Sequence, residues 1–453
     1  MFGAGKVPPC PVRGRPFLSI GELLGDRMKL LIAVIVAAGV FAGASARAGD
    51  AENELRLSQA IDEALENNPE IRVLQNKLLS ARARGSQSTY LEDPELNLEA
   101  WGIPLNQPAS IRSSNPIVLG LRQKVPFFGK RALKSEIAGS EVRMAEEELR
   151  AKQVEIVAKV KNAYADYFLA GKSIEIAKGH LELIRQVSLT AENLYKVGKV
   201  PQQDVIKALL EQTDLLNRLN MAERELETTK ARLNTLLNRH PGAQLGLPTE
   251  VSLVPLRLSF NDLERLALDN NPELEGMEQN VRRSEKVIEL AQRNQKYPDF
   301  MLGLQYWVAP DQKQKHMYTP MVSLTIPFSP WTKGKHDYEI EEAMAERQAT
   351  KSQHDAMKNA ALLGVREMFN RARAAEKSVA FYQDGLLPQA QQSFEAAVAA
   401  YQTGQVNFVT MLDAQRTIRE ARLGYYKALV EHEQSIVDIE RAVGVTLPRP
   451  VKN

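Results

Sequence analysis

The chain holds a single cysteine, Cys10, among 453 residues. One thiol forms no internal disulfide and cannot supply a Cys-rich zinc site. A charge excess of either sign is also missing: 58 Lys and Arg face 56 Asp and Glu, a formal net charge of +2. Nucleic-acid binding works by neutralising phosphates, so this balance excludes it. The six histidines (180, 240, 316, 336, 354 and 432) include no i, i+4 pair, and His432-Glu433 lacks a second His at metalloprotease spacing. They read as isolated surface histidines, and the sequence offers no metal or cofactor site. No nucleophile is paired with a base, so the chain does not read as an enzyme. The apolar run Leu30–Ala42 is well short of the ~20 residues that a helix needs to span a bilayer. With 44% apolar and 25% charged residues the chain is neither disordered nor fibrous, and length alone suggests two or three globular domains.

What is present begins with a leader. Arg27-Met28-Lys29 precedes Leu30–Ala42, and Ala46-Arg47-Ala48 precedes Gly49. A basic start, a short apolar stretch and an A-x-A site predict a secretory signal peptide cleaved after Ala48. Residues 1–27 read as an overlong basic region or as the product of an unused upstream start. Their Gly3-Ala4-Gly5-Lys6 follows no strand and is not a phosphate loop. Cleavage removes Cys10 and lowers the charge counts to 52 basic and 54 acidic, so no cysteine remains to carry a lipid.

The remainder is written twice. Ala64-Leu65-Glu66-Asn67-Asn68-Pro69-Glu70 returns as Ala267-Leu268-Asp269-Asn270-Asn271-Pro272-Glu273, an offset of 203. Val125-Pro126-Phe127 returns as Ile326-Pro327-Phe328 at 201, and Tyr195-x-x-Gly198-x-Val200 as Tyr401-x-x-Gly404-x-Val406 at 206. Three ordered landmarks at nearly one spacing indicate two copies of one unit, 49–250 and 251–453. Each copy opens with an amphipathic helix N-capped by serine, Ser58 or Ser259, the latter with Asp262 three residues on. Asn-Asn-Pro-Glu then breaks the helix and restarts the next one, which runs to about Tyr90 or Lys296.

Two strands follow in each copy. Leu96, Leu98 and Ala100 share one face, and Ile117, Leu119, Leu121 and Val125 another; copy two has Phe300, Leu302, Leu304 and Tyr306, then Val322, Leu324, Ile326 and Phe328. Strands of about nine to eleven residues with alternating faces have the length and period of membrane-spanning β-strands. A hairpin lying on a soluble core shows the same alternation, so the strands alone leave both readings open. Helix-rich stretches from Lys130 to about Asn193 and from Lys335 to about Ala400 contain no proline but Pro388. Apolar residues recur there at helical spacing, as in Ile156, Val160, Tyr164, Tyr167 and Phe168, and in Val365, Met368 and Phe369. Helices of ~64 residues would extend about 95 Å. Both turn at Tyr-x-x-Gly-x-Val and return near 202–238 and 407–443. Four strands cannot close a barrel, and narrow apolar stripes leave surface uncovered, so the pattern demands an oligomer.

In these repeated segments, and in Arg122-Gln123-Lys124-Val125-Pro126-Phe127-Phe128-Gly129-Lys130-Arg131, the chain resembles the TolC family of outer-membrane efflux proteins from about Leu55 to Val445. The resemblance implies a mainly α fold with a small β part. In it a homotrimer joins an α-helical barrel of long hairpins to a 12-stranded transmembrane β-barrel, four strands per chain. It implies an outer-membrane protein of a Gram-negative bacterium that exports passively, docked to a periplasmic adaptor and an inner-membrane pump of the resistance-nodulation-division type. Val197-Gly198-Lys199 resembles the family's adaptor-contacting tip, with Lys199 in place of Leu, and Thr403-Gly404-Gln405 forms the second tip. Asp413 resembles an acid that rings the periplasmic aperture, and Thr410 stands where members often carry a second one. Tyr401 resembles a tyrosine that helps hold the aperture closed. Phe127 to Arg131 looks most like the heavy-metal branch, whose partners export copper, zinc, cobalt or nickel. A drug, small-molecule or type I secretion duct is the alternative within the family, and a soluble periplasmic coiled-coil adaptor the alternative outside it.

Overall fold

A computed structural model describes residues 54–103, 105–106, 116–249, 251–308 and 316–448. The leader and its cleavage residues Ala46, Ala48 and Gly49 lie outside the described residues. From Glu54 onward the chain clusters as one unit rather than the two or three that its length suggested.

Copy one contains α1 (Leu57–Asn67), α2 (Pro69–Gln87), β1 (Glu95–Ala100), β2 (Ile117–Val125), α3 (Lys130–Lys196) and α4 (Gln202–Leu236). Copy two contains α5 (Phe260–Asn270), α6 (Pro272–Lys296), β3 (Phe300–Val308), β4 (Met317–Leu324), α7 (Lys333–Ala380), a π-helical segment (Phe381–Leu386), α8 (Leu387–Gln402) and α9 (Phe408–Val443).

The doubled Asn-Pro step performs the same two tasks in both copies. Asn68 and Asn271 adopt extended backbone, with ψ of 124° and 116°, which ends one helix before the proline opens the next. Asn68 Oδ1 accepts from the Glu70 amide at 2.8 Å; Asn271 Oδ1 accepts from Glu273 and Leu274 at 2.9 and 3.1 Å. The same side chains donate from Nδ2 to Leu236 O (3.1 Å) and Ala442 O (2.9 Å). Each asparagine thus caps a helix and ties the start of its repeat to the end of that repeat's return helix.

Ser259 and Asp262 form the expected capping box. Ser58 does not cap α1: Arg56 holds the cap position and Ser58 lies in the first turn. The start is set instead by Leu55, which bridges Pro248 and donates its amide to Leu247 O at 2.9 Å.

The four strands form one antiparallel sheet in the order β1-β2-β3-β4. Two are shorter than expected. β1 has six residues, because Gly102, with φ of 68°, turns the chain just after Trp101. β4 has eight and ends at Leu324, so Ile326 and Phe328 lie beyond it; Pro327 has no amide to donate to a ladder.

α3 has 67 residues, about 100 Å at 1.5 Å per residue. The matching stretch of copy two also stays helical from Lys333 to Gln402, but it widens into the π-helical turn between α7 and α8, just ahead of Pro388. Proline removes one intrahelical donor and its ring displaces a carbonyl, and the widened turn accommodates both. Among the described residues there is no single core. Buried residues form separate clusters along the length, one around α1, α3 and α4, one around α5, α7 and α9, and one at the tip.

The histidines depart most from expectation. His180 and His432 are buried, at 4% and 0% exposure, and are not surface residues. Each sits on a long helix where a neighbouring helix covers it, which a search for metal-ligand spacing does not register.

Candidate functional site

Two regions carry the chemistry, the sheet and the hairpin tips. In the sheet, Leu96, Leu98, Leu119, Leu121, Leu302, Leu304 and Val322 share one face by register, and all are exposed, Leu98 at 73%. The opposite face carries Asn97, Glu99, Gly120, Arg122 and Gln305, which are buried or half-buried. Arg122 there lies 3.4 Å from Glu99. A hairpin on a soluble core would bury its leucines and expose its charges, whereas here the leucines are exposed and Glu99 and Arg122 are half-buried. That is the arrangement of a wall with lipid on one side and a polar lumen on the other. β1 and β4 are the two edges, and a backbone edge in lipid must pair with another strand. Among the described residues no helix is long and apolar enough to cross a membrane.

The segment Phe127 to Arg131 forms the joint between sheet and helix. Gly129, at φ of 86°, precedes α3, and the Arg293 guanidinium packs where a Cβ would sit, donating to Phe128 O at 3.3 Å. Lys130 is buried and donates from Nζ to Tyr297 O and to Asp299 Oδ1, both at 2.8 Å. The Phe127 amide reaches Asp299 Oδ1 at 3.2 Å, and its ring stacks on Tyr297 at 4.5 Å. These residues fasten the start of α3 in copy one to the start of β3 in copy two.

At the other end the two turns are nearly identical. Gly198 and Gly404 have φ of 72° and 75°, with nothing near the site of a Cβ, so backbone conformation alone requires glycine. Their amides donate to Tyr195 O (2.9 Å) and Tyr401 O (3.0 Å), and the next amides, Lys199 and Gln405, donate to Leu194 O (2.9 Å) and Ala400 O (2.8 Å). Val197, Gly198, Lys199, Thr403, Gly404 and Gln405 are all exposed.

Tyr401 points inward, into the tip cluster, edge-on to Phe408 at 5.4 Å. Burial, with the Asp204 carboxylate nearby, pushes its phenol up to about 12. Its hydroxyl has no hydrogen-bond partner among the described residues. Asp413 is exposed on the other face of α9 from buried Leu412, Ala414 and Gln415. Thr410 is exposed and belongs to the helix cap: its amide and hydroxyl donate to Asn407 Oδ1 at 2.9 and 3.0 Å. The chain therefore brings Tyr401 and Phe408 together and leaves Asp413 to face away from them.

Asp204, buried in the first turn of α4 and raised in pKa by that burial, was not singled out in the sequence. The repeat carried a signal for it, since counting back 206 from Thr410 reaches Asp204. A buried set formed by His180, Glu211, Gln415 and Arg419 was also missed. Nothing in one sequence pairs residues some 200 positions apart on different helices. Among the described residues no group of His, Cys, Asp and Glu is arranged to hold a metal ion.

The chain is 23% identical over 398 residues to the cobalt-zinc-cadmium resistance protein CzcC of Cupriavidus metallidurans, covering 87% of this chain and 91% of that one. Its fold matches CusC, from a study of folding and transmembrane channel formation, with a TM-score of 0.74 at 20% identity over 87% of this chain and 93% of that one. It also matches the outer membrane protein VceC of Vibrio cholerae, with a TM-score of 0.72 at 18% identity over 86% and 96%. The profile of one family, described as outer membrane efflux protein, matches residues 60–239 and again 263–445. With most of its length matched in this way, the chain belongs to the outer membrane efflux protein family.

Proposed function

We propose that this outer-membrane efflux channel is the duct of a tripartite export system for heavy-metal cations. Three copies close the sheet edges into a barrel, and the paired hairpins continue the passage through the periplasm. The observation that carries the duct reading is the inverted sheet, with its exposed leucines on one face and Glu99, Arg122 and Gln305 on the other. The cation reading is supported by the similarity to a cobalt-zinc-cadmium resistance protein along 87% of the chain. The duct selects little by itself; a pump of the resistance-nodulation-division type, joined through a periplasmic adaptor at the 197–199 and 403–405 tips, delivers the cargo. Asp413 contributes one carboxylate per chain to a ring at the aperture, where like charges repel and attract cations. Tyr401, Asp204 and Phe408 form the packed base on which that turn rests.

Deletion of the gene tests the cargo: tolerance of cobalt, zinc and cadmium should fall together while drug tolerance stays unchanged, and the opposite pattern assigns a drug duct. The aperture is tested in planar bilayers, where Asp413→Ala should raise single-channel conductance and lower cation preference. Unchanged conductance and preference remove Asp413 from the aperture.

A further inference from the structure

The interior of the tip holds a polar set that the export reading does not use. His180 of α3 is 4% exposed and Gln415 of α9 is fully buried. Gln415 Nε2 lies 2.9 Å from His180 Nδ1. An amide nitrogen can only donate, so the ring accepts at Nδ1 and keeps its proton on Nε2. Among the described residues neither His180 Nε2 nor Gln415 Oε1 has a hydrogen-bond partner.

The two charges that act on the ring share one sign. From α9, Arg422 and Arg419 act on the ring, and both are positive. From α4 comes Glu211, buried, whose carboxylate accepts from Arg416 Nε at 3.1 Å and Arg419 Nη1 at 3.2 Å and is thereby committed. From α8 comes Gln391, which accepts from Arg422 at 3.2 Å. On α3 itself Lys178 and Glu182 are exposed. Gln415 stands two residues from Asp413, on the buried side of the helix whose exposed side carries that acid.

We propose that His180 is a proton-operated clamp between the first hairpin and α9. Neutral, its Nδ1 accepts from Gln415 and holds the turn bearing Asp413 against α3. Protonation at Nδ1 removes the acceptor and sets a buried cation beside Arg419 and Arg422 without a free counter-charge. α9 then parts from α3, and the aperture opens as the periplasm acidifies. The clamp rests on the duct reading, because it needs an aperture to govern.

Burial, followed by Arg422 and Arg419, pushes the imidazole down to about 4. A ring freed to water returns to roughly 6.5, so the open state takes the proton first. At pH 5 this difference favours opening by roughly 30-fold per subunit, and at pH 7 it has almost no effect.

The test is a pH series on the full-length trimer in planar bilayers, with His180→Gln alongside, which cannot titrate. Wild type should open more often from pH 7 to 5 and His180→Gln should not change. Channels whose opening ignores pH, or rises equally in both proteins, overturn the clamp and leave the duct intact. Absence of any channel at any pH removes the duct reading and the clamp with it. Should the variant fail to assemble, deuterium exchange at the His180 ring carbon, read by mass spectrometry on wild-type trimer, decides instead. An apparent pKa near 4 to 5 supports the clamp, and one near 6.5 overturns it.

Discussion

The two repeats share hairpin length, turn chemistry and an Asn-Pro start, yet the long helix of one is α-helical throughout and that of the other widens into a π-turn. α3 runs 67 residues without interruption, while copy two passes from α7 through a π-helical turn into α8. Counting 206 on from His180 reaches Leu386, the last residue of that turn. The purely α-helical strut carries His180, and the copy that contains the π-turn carries Gln415 and Asp413. Within that turn, Tyr382 packs against Gly424 of α9 closely enough that a Cβ there would force it aside. The two copies thus keep one plan while differing in the winding of their long helices.

That contrast can be broken at several points. The largest effect is expected at the joint between copies: Lys130→Ala strips Asp299 of its buried partner and should cost about 3 kcal/mol, read as a lower temperature for trimer dissociation on gels. A change within a degree or two would mean that Lys130 is dispensable. His180 gives the next largest. Because its pKa is depressed in the fold, the unfolded chain binds a proton near pH 6.5 that the folded chain refuses until about 4. Stability should therefore fall as pH drops through that window and level off below it, by at most about 3 kcal/mol per chain, and His180→Gln should flatten the fall in denaturant titrations. Asn68→Ala and Asn271→Ala each lose a cap and a tie to the return helix, about 2 kcal/mol apiece, and should be equal if the two copies use the motif alike.

Much of this was legible because some residues permit one local answer. Asn-Pro forces a break wherever it occurs, and glycine in Tyr-x-x-Gly supplies the positive φ that ends a helix. Alternation in β2 and β3 gave two faces but not which one meets solvent, since period alone is the same for a soluble hairpin and a barrel wall; half-burial of Arg122 and exposure of Leu98 decide it. The π-helical turn was less readable, because Pro388 marks where a donor is lost and not how the helix responds. Buried His180 escaped notice because its partner lies 235 residues away and no local pattern connects them.

The central claim is that the exposed leucine face of the sheet meets lipid and the opposite face meets a water-filled lumen. The sole natural cysteine is Cys10, so single cysteines can be placed cleanly at Leu98 and at Gln305 in a protein whose Cys10 is also substituted. The measurement is labelling of both variants in intact outer membranes with a lipid-soluble and a water-soluble thiol reagent. Leu98→Cys should react with the lipid-soluble reagent alone and Gln305→Cys with the water-soluble one. Equal reaction of both positions with the water-soluble reagent would contradict the account.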